Sequence, residues 1–214
     1  MVTLTVDGQT VQAPEESSLL SACLAAGIYI PHLCWLESDT PADAPAACRL
    51  CFVEIEGLRE PAAACAVSVE NGMMVHTATE TVRGLQKTAL KLLLSVHRVE
   101  CKNCPANKAC ALQNIATFLG VGLGCKPFAR VLTEPEVDSG HPLFDVYRNR
   151  CVLCGICVRV CRQRHDRAQL SFAGRGFDTL VGHFEANAEA ATACAGCRAC
   201  LDACPTGALV EKNG

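Results

Sequence analysis

Large apolar side chains are scarce in this chain of 214 residues, and aromatics make up only 5% of it. The hydrophobic fraction is nominally 50%, but Cys and Ala inflate that figure, and one large core cannot be built from what remains. Such a chain holds either ordinary domains or several small ones stapled by cofactors. Charge of either sign is not in excess: the formal net charge is −3 and the pI is near 6.1. With no run of Lys and Arg, the footprint of a nucleic-acid or anionic-membrane binder is missing. No apolar stretch approaches the roughly 18 residues that cross a bilayer. The opening MVTLTVDGQT has no basic-then-apolar leader. A sound dinucleotide loop is missing too. In Gly120-x-Gly122-x-Gly124, Cys125 replaces the third glycine and Pro127 blocks the helix that should follow. No nucleophile–base pair stands out, so nothing points to a substrate site.

Cysteine is what the chain has in quantity, seventeen residues. In a secreted protein this density would mean disulfides, but the count is odd, no leader is evident and the spacings suit metal chelation. The expectation is a reduced, cytoplasmic protein.

Two runs dominate: Cys151-x2-Cys154-x2-Cys157-x3-Cys161 and Cys194-x2-Cys197-x2-Cys200-x3-Cys204-Pro205, offset by 43 residues. This is the bacterial two-cluster ferredoxin spacing, in which each run gives three thiolates to one cubane and its fourth to the other. Gaps of two let a tight loop wrap three corners of a cube, while the next turn carries the fourth sulfur out of reach. Cys151, Cys154, Cys157 and Cys204 are therefore assigned to one 4Fe–4S cluster, and Cys161, Cys194, Cys197 and Cys200 to another.

Two further groups lie upstream. Cys34, Cys48, Cys51 and Cys65 give one close pair and two remote thiolates, enough for a 2Fe–2S rhomb. The same spacing permits a four-thiolate zinc site. His97-x3-Cys101-x2-Cys104-x5-Cys110 offers three thiolates, one short of a cubane, with a histidine one helical turn upstream. A lone histidine beside an apolar helix face is usually structural, and its neighbours alone do not make it a ligand. The other histidines, His32, His76, His141, His165 and His183, lack such a setting and are expected to be structural or solvated. Cys23 and Cys125 belong to no group and read as buried thiols.

Organisation follows the same order. Residues 1–78 read as β-rich: Val2-x-Leu4-x-Val6 alternates, Asp7-Gly8 suits a hairpin turn, and strands are expected over 52–56 and 73–77. Ser17 or Ser18 can cap a helix over 19–26 that Gly27 ends. Residues 79–118 carry a long helix, roughly 79–96, with Thr77 and Glu80 as a capping box and Val82, Leu85, Ala89, Leu92, Leu93 and Val96 as its buried stripe. A second helix is expected over 108–118. Residues 119–146 read as a connecting segment, and 147–214 as the two-cluster ferredoxin domain, with a hairpin near Gly174 and Gly176 between its runs.

The phrases Ile30-Pro31-His32-Leu33-Cys34 and Cys48-Arg49-Leu50-Cys51 resemble the 2Fe–2S domain of the largest peripheral subunit of respiratory complex I. The His97 group resembles that family's histidine-ligated 4Fe–4S motif. The resemblance implies a 2Fe–2S cluster at Cys34, Cys48, Cys51 and Cys65, and a 4Fe–4S cluster at His97, Cys101, Cys104 and Cys110. A neutral imidazole in place of a thiolate makes a cluster less negative and favours its reduced state, while hydrogen bonds and burial act on the same potential. The order of sites also resembles the amino-terminal part of iron-only hydrogenases and NAD-dependent formate dehydrogenases. Those chains continue into a large domain, whereas this one ends ten residues after Cys204. A free-standing version is similar to the small diaphorase-module subunit of bidirectional NAD-reducing nickel–iron hydrogenases, which bridges a flavin- and NAD-binding subunit to the hydrogenase heterodimer. Complex I itself usually keeps only one of the two ferredoxin-type cubanes, so both runs favour the hydrogenase or dehydrogenase branches.

The expectation is thus an α+β protein: a β-grasp 2Fe–2S domain, a helical domain with one histidine and three cysteines, and a two-cluster ferredoxin. It would hold one 2Fe–2S and three 4Fe–4S clusters and act as an electron-transfer subunit with no active site of its own. Its partners would be the diaphorase subunit and the hydrogenase small and large subunits. The same role in a formate dehydrogenase, iron-only hydrogenase or complex I-like enzyme is the alternative. A catalytic cluster with an open iron at the His97 group, and a structural zinc protein, are the competing classes.

Overall fold

Alternation in Val2–Val6 puts Val2, Leu4 and Val6 on one face, and these are the buried positions of β1 (Val2–Val6). Asp7 and Gly8 both have positive φ, 47° and 84°, the geometry of a two-residue hairpin turn. The chain then returns antiparallel as β2 (Gln9–Ala13). Across the computed structural model, residues 1–165, 169–183, 192 and 194–212 are described. They divide into two compact units, Met1–Lys91 with Ile115–Gly122, and Leu92–Asn114 with Leu123–Gly214. The predicted ferredoxin domain also includes 166–168, 184–191, 193, 213 and 214, which lie outside the described residues.

The first unit is built on a five-stranded sheet, ordered β2-β1-β5-β3-β4, with β3 (Phe52–Ile55), β4 (Ala62–Ala63) and β5 (Met74–His76). The β1–β5 pair is parallel and its neighbours are antiparallel. α1 (Leu19–Ala25) starts at Ser18, whose hydroxyl accepts the Ser21 N–H at 3.1 Å. Its buried face, Leu19, Leu20, Ala22 and Cys23, joins Leu4, Val6, Ile30, Val53 and Val75 in one core. Each such large side chain contributes roughly 1.5–3 kcal/mol by leaving water. Cys51 and Cys65, each 1% exposed, belong to the same core.

α2 (Glu80–Ser95) departs from the expected details in two ways. Thr79, not Thr77, caps it, accepting the Val82 N–H at 3.2 Å. Thr77 is instead held by the hairpin turn, its N–H and hydroxyl both donating to the Asp7 carboxylate, at 2.9 and 2.6 Å. The buried face is also rotated from the predicted stripe: Val82, Gln86, Ala89, Leu90 and Leu94 are covered, and Leu92 is 49% exposed. Gln86 reaches the interior because its polar atoms are satisfied, Nε2 by the Phe52 carbonyl and Oε1 by Arg83. α3 (Ala111–Phe118) begins later than the expected residue 108, because Lys108 sits at φ 71° and its N–H turns to the Gln113 side chain.

In the second unit, β6 (Val137–Asp138), β7 (Phe144–Tyr147) and β10 (Leu209–Glu211) form a three-stranded antiparallel sheet ordered β10-β7-β6. α4 (Ile156–Arg164) carries the last two cysteines of the first run, and the four-residue α5 (Ala199–Asp202) carries the third cysteine of the second. β8 (Leu170–Ala173) and β9 (Leu180–His183) form the expected hairpin around Gly174 and Gly176. Phe144, Val146, Val158, Leu170, Val181 and Leu209 supply the buried apolar side chains, together with Cys157 and Cys161. The expected α+β class is what the chain adopts.

Candidate metal centres

The first group is held by the loop into β3 and the single 3-10 turn after β4. Arg49 takes φ 53°, bending Cys48-Arg49-Leu50-Cys51 into a short arc. Ala64 N–H donates to the Cys51 carbonyl at 2.9 Å, fixing Cys65 beside it. All four thiols are at most 5% exposed. They meet in two close pairs, Cys34 with Cys48 and Cys51 with Cys65. The pairing with Cys34 and then burial raise the Cys48 thiol. The hydrogen bond to Cys65 and then burial raise Cys51, which keeps the proton while Cys65, accepting it, is lowered. Four buried thiols cannot ionise side by side unaided, so this donor set fits a cationic centre that takes all four as thiolates and releases their protons. The Cys48 N–H points at the Cys34 sulfur at 3.5 Å, the kind of contact that tunes an iron–sulfur potential.

His97, Cys101, Cys104 and Cys110 line one small cavity with Arg98, Glu100, Asn107, Gln113 and Arg150. His97 is buried, and its Nδ1 lies 3.2 Å from the Arg150 carbonyl. A carbonyl only accepts, so Nδ1 carries the proton and Nε2 is left with a free lone pair, the arrangement of a metal-binding imidazole. Burial first, and then the charges of Arg130 and Arg150, lower the His97 pKa and keep the ring neutral. Cys110 stands at the start of α3, where the Leu112 and Gln113 N–H groups approach its sulfur, although burial raises the thiol overall.

The ferredoxin runs cross over. Cys151, Cys154, Cys157 and Cys204 line one cavity, and Cys161, Cys194, Cys197 and Cys200 line another. The second cavity is about 510 Å³, within the range of cofactor sites rather than single ions. Both runs repeat one backbone device. Leu153 and Gly155 take φ 54° and 75°, and at the equivalent positions Gly196 and Arg198 take 79° and 50°. Left-handed residues at matched positions are the means by which a backbone curls into a nest suited to an anionic centre, and the Leu153 N–H approaches the Cys151 sulfur. The fourth sulfurs match as well, Cys161 accepting the Gln169 N–H at 3.2 Å and Cys204 the Ala208 N–H at 3.3 Å. Burial raises the Cys151 and Cys200 thiols to about 11 and pushes Cys157 higher still. Among the described residues no three His, Cys, Asp or Glu side chains converge closely enough to hold a single ion. A donor set spread around a cavity suits a cluster of several atoms.

Sequence reasoning missed two residues here, Arg150 and Thr206, which carry no spacing signal. Arg150 is 6% exposed, bonds Glu100 through Nε and Nη2 at 2.9 and 2.7 Å, and stacks on Tyr147. His141 lines the Cys161 cavity, stacked on Phe144, with Nε2 buried and unpartnered. Burial lowers its pKa to about 4, helped by His183 and Lys212. His32 bonds the Ile30 carbonyl, and His76 pairs with Glu56 at the surface. Cys23 is fully buried, with its thiol pushed up to about 12 by burial and then by Asp7.

Close approach explains one glycine. Gly207 has φ 65°, and a Cβ there would stand 2.9 Å from the Ala106 Cβ and 3.3 Å from the Cys104 sulfur. Gly196, at φ 79°, has nothing within 4 Å. Gly207→Ala should therefore cost about 1–3 kcal/mol more than Gly196→Ala, the overpacking added to the shared strain. Thermal loss of iron in the two variants checks this, and equal midpoints would refute it.

These features define a multi-cluster ferredoxin-type iron–sulfur protein. Three family profiles match in sequence: a 2Fe-2S iron-sulfur cluster binding domain over residues 1–80, an NADH-ubiquinone oxidoreductase-G iron-sulfur binding region over 86–122, and a 4Fe-4S dicluster domain over 150–208. The fold is that of one chain in a crystal structure of NAD+-reducing NiFe-hydrogenase in the H2-reduced state. The TM-score is 0.82 at 31% identity, covering 100% of this chain and 88% of the other. The chain belongs to the family of that hydrogenase chain, and its residues 86–122 match the iron-sulfur binding region of NADH-ubiquinone oxidoreductase-G. It is also 36% identical to the NADP-reducing hydrogenase subunit HndD of Solidesulfovibrio fructosivorans and 34% identical to the NADPH-Fe(3+) oxidoreductase subunit alpha of Geobacter sulfurreducens. It spans 36% and 24% of those longer proteins. Among the described residues no helix is long and apolar enough to cross a membrane.

Proposed function

We propose that this chain is the electron-relay subunit of a cytoplasmic NAD-linked hydrogenase, joining a flavin- and NAD-binding diaphorase subunit to the hydrogenase small and large subunits. It has no active site of its own. The observation that supports this reading is the lining of three cavities by cysteines, beside the two close pairs of Cys34 with Cys48 and Cys51 with Cys65, on a fold matched over 88% of a hydrogenase chain. The residues proposed to hold iron are Cys34, Cys48, Cys51 and Cys65 for a 2Fe–2S cluster, with one close pair on each iron. His97, Cys101, Cys104 and Cys110 hold a 4Fe–4S cluster, as do Cys151, Cys154, Cys157 and Cys204, and Cys161, Cys194, Cys197 and Cys200. When bound, the clusters supply single-electron steps between a flavin that splits hydride and a distant metal site. The chain's own work is positional: it fixes the sulfurs, excludes water and aims N–H groups at the thiolates.

Anaerobic purification of the native complex tests the assignment. About 14 iron atoms should come from this chain, with stoichiometric nickel from the partner. Molybdenum or tungsten in place of nickel would move the reading to a formate dehydrogenase, and neither metal would move it to a complex I-like or iron-only assembly. Within the complex, Cys104→Ser should abolish NADH-driven turnover at the distal site; turnover at the wild-type rate would sink the relay role.

A further inference from the structure

Thr206 is 2% exposed, and a buried hydroxyl costs roughly 1–3 kcal/mol unless it is bonded. Its proton goes to the Arg150 carbonyl, 2.8 Å from Oγ1. That same carbonyl accepts the His97 Nδ1–H at 3.2 Å. Two donors thus share the two lone pairs of one oxygen. The oxygen is well anchored, since the Arg150 side chain is pinned by Glu100 and by the Tyr147 ring, 4.0 Å away. Thr206 also touches two centres directly. Its own carbonyl is 3.7 Å from the Cys104 sulfur, and its hydroxyl is 4.0 Å from the Cys204 sulfur.

We propose that Thr206 is a positioning residue for the His97 centre, acting through the Arg150 carbonyl on the orientation and basicity of the His97 ring. The proposal rests on His97 being an iron ligand. With the hydroxyl present, the carbonyl divides its accepting capacity and holds the ring at one angle. Without it, the carbonyl accepts more strongly from Nδ1–H, the imidazole becomes a more basic ligand, and the oxidised cluster is favoured. Position 206 thereby adjusts the His97 centre while belonging to the loop that carries Cys204.

The test uses the anaerobically purified complex and three variants, Thr206→Val, Thr206→Ala and Thr206→Ser, read by redox titration and by the nitrogen hyperfine coupling of the reduced clusters. Wild type should show imidazole nitrogen coupling on one cluster. Valine and alanine should change that coupling and lower that cluster's midpoint potential, with iron content intact, while serine restores both. Alanine covers the case in which valine overpacks and loses iron. An unchanged coupling and potential in the hydroxyl-free variants overturns the proposal, as does a serine variant as altered as valine, since packing by the methyl would then be the cause. If wild type shows no nitrogen coupling, His97 is not a ligand and the reading beneath the proposal falls separately.

Discussion

Cys161→Ala should reproduce the spectrum of Cys194→Ala and not that of Cys151→Ala. Each variant should lose one cubane, bringing iron from about 14 to about 10 atoms per chain, and each should stop NADH-driven turnover at the distal site. The reason is the geometry of two short helices. α4 carries Cys157 in its first turn and Cys161 one turn later, and α5 carries Cys200, with Cys204 one turn further on. Four residues along a helix advance the chain by about 6 Å. The loop before each helix and the helix's first turn keep the first three sulfurs of the run together, while the fourth, one turn along α4 or two residues past α5, lines the other cavity. If each run chelated its own cube, Cys161→Ala would instead match Cys151→Ala. Comparing the reduced spectra of the three variants decides between the two arrangements.

Iron removal should act unequally on the two compact units. In the first, Leu4, Val6, Leu19, Leu20, Ile30, Val53 and Val75 belong to a core of seventeen buried residues, of which only Cys51 and Cys65 are proposed ligands. In the second, Cys157 and Cys161 are two of only eight buried members among the described residues, with Cys151, Cys200 and Cys204 packed against them. Take away the iron and Cys151, Cys157 and Cys200, which burial drives to hold their protons, crowd a core with few large side chains. Anaerobic chelation followed by hydrogen exchange should leave β1 and β2 protected while β7 and β10 exchange faster by orders of magnitude. Equal retention in both units, or loss of β1 first, would contradict the picture of one unit that depends less on metal than the other.

How much of this was legible in advance depended on the range of the interaction. The β1–β2 hairpin, α1 and its Ser18 cap, and the β8–β9 hairpin are local, set by alternation, a hydroxyl and turn residues within a few positions of one another. The grouping of cysteines was legible for the same reason, because gaps of two and three residues restrict where sulfurs can point. The cap and buried face of α2 were misjudged because long-range contacts chose them. Thr77 was taken by Asp7, 70 residues away, and Gln86 was drawn inside by the Phe52 carbonyl.

By itself, then, the order of residues pointed to the chemistry: four groups of candidate soft ligands at spacings that suit iron–sulfur clusters. Tertiary structure alone decided which distant groups meet at the Arg150 carbonyl. The proton on His97 is located by a carbonyl 53 positions away, and that carbonyl is shared with a threonine 56 positions beyond it. No periodicity records such a contact, because it exists only once the chain has folded and a buried donor must find the nearest unsatisfied oxygen.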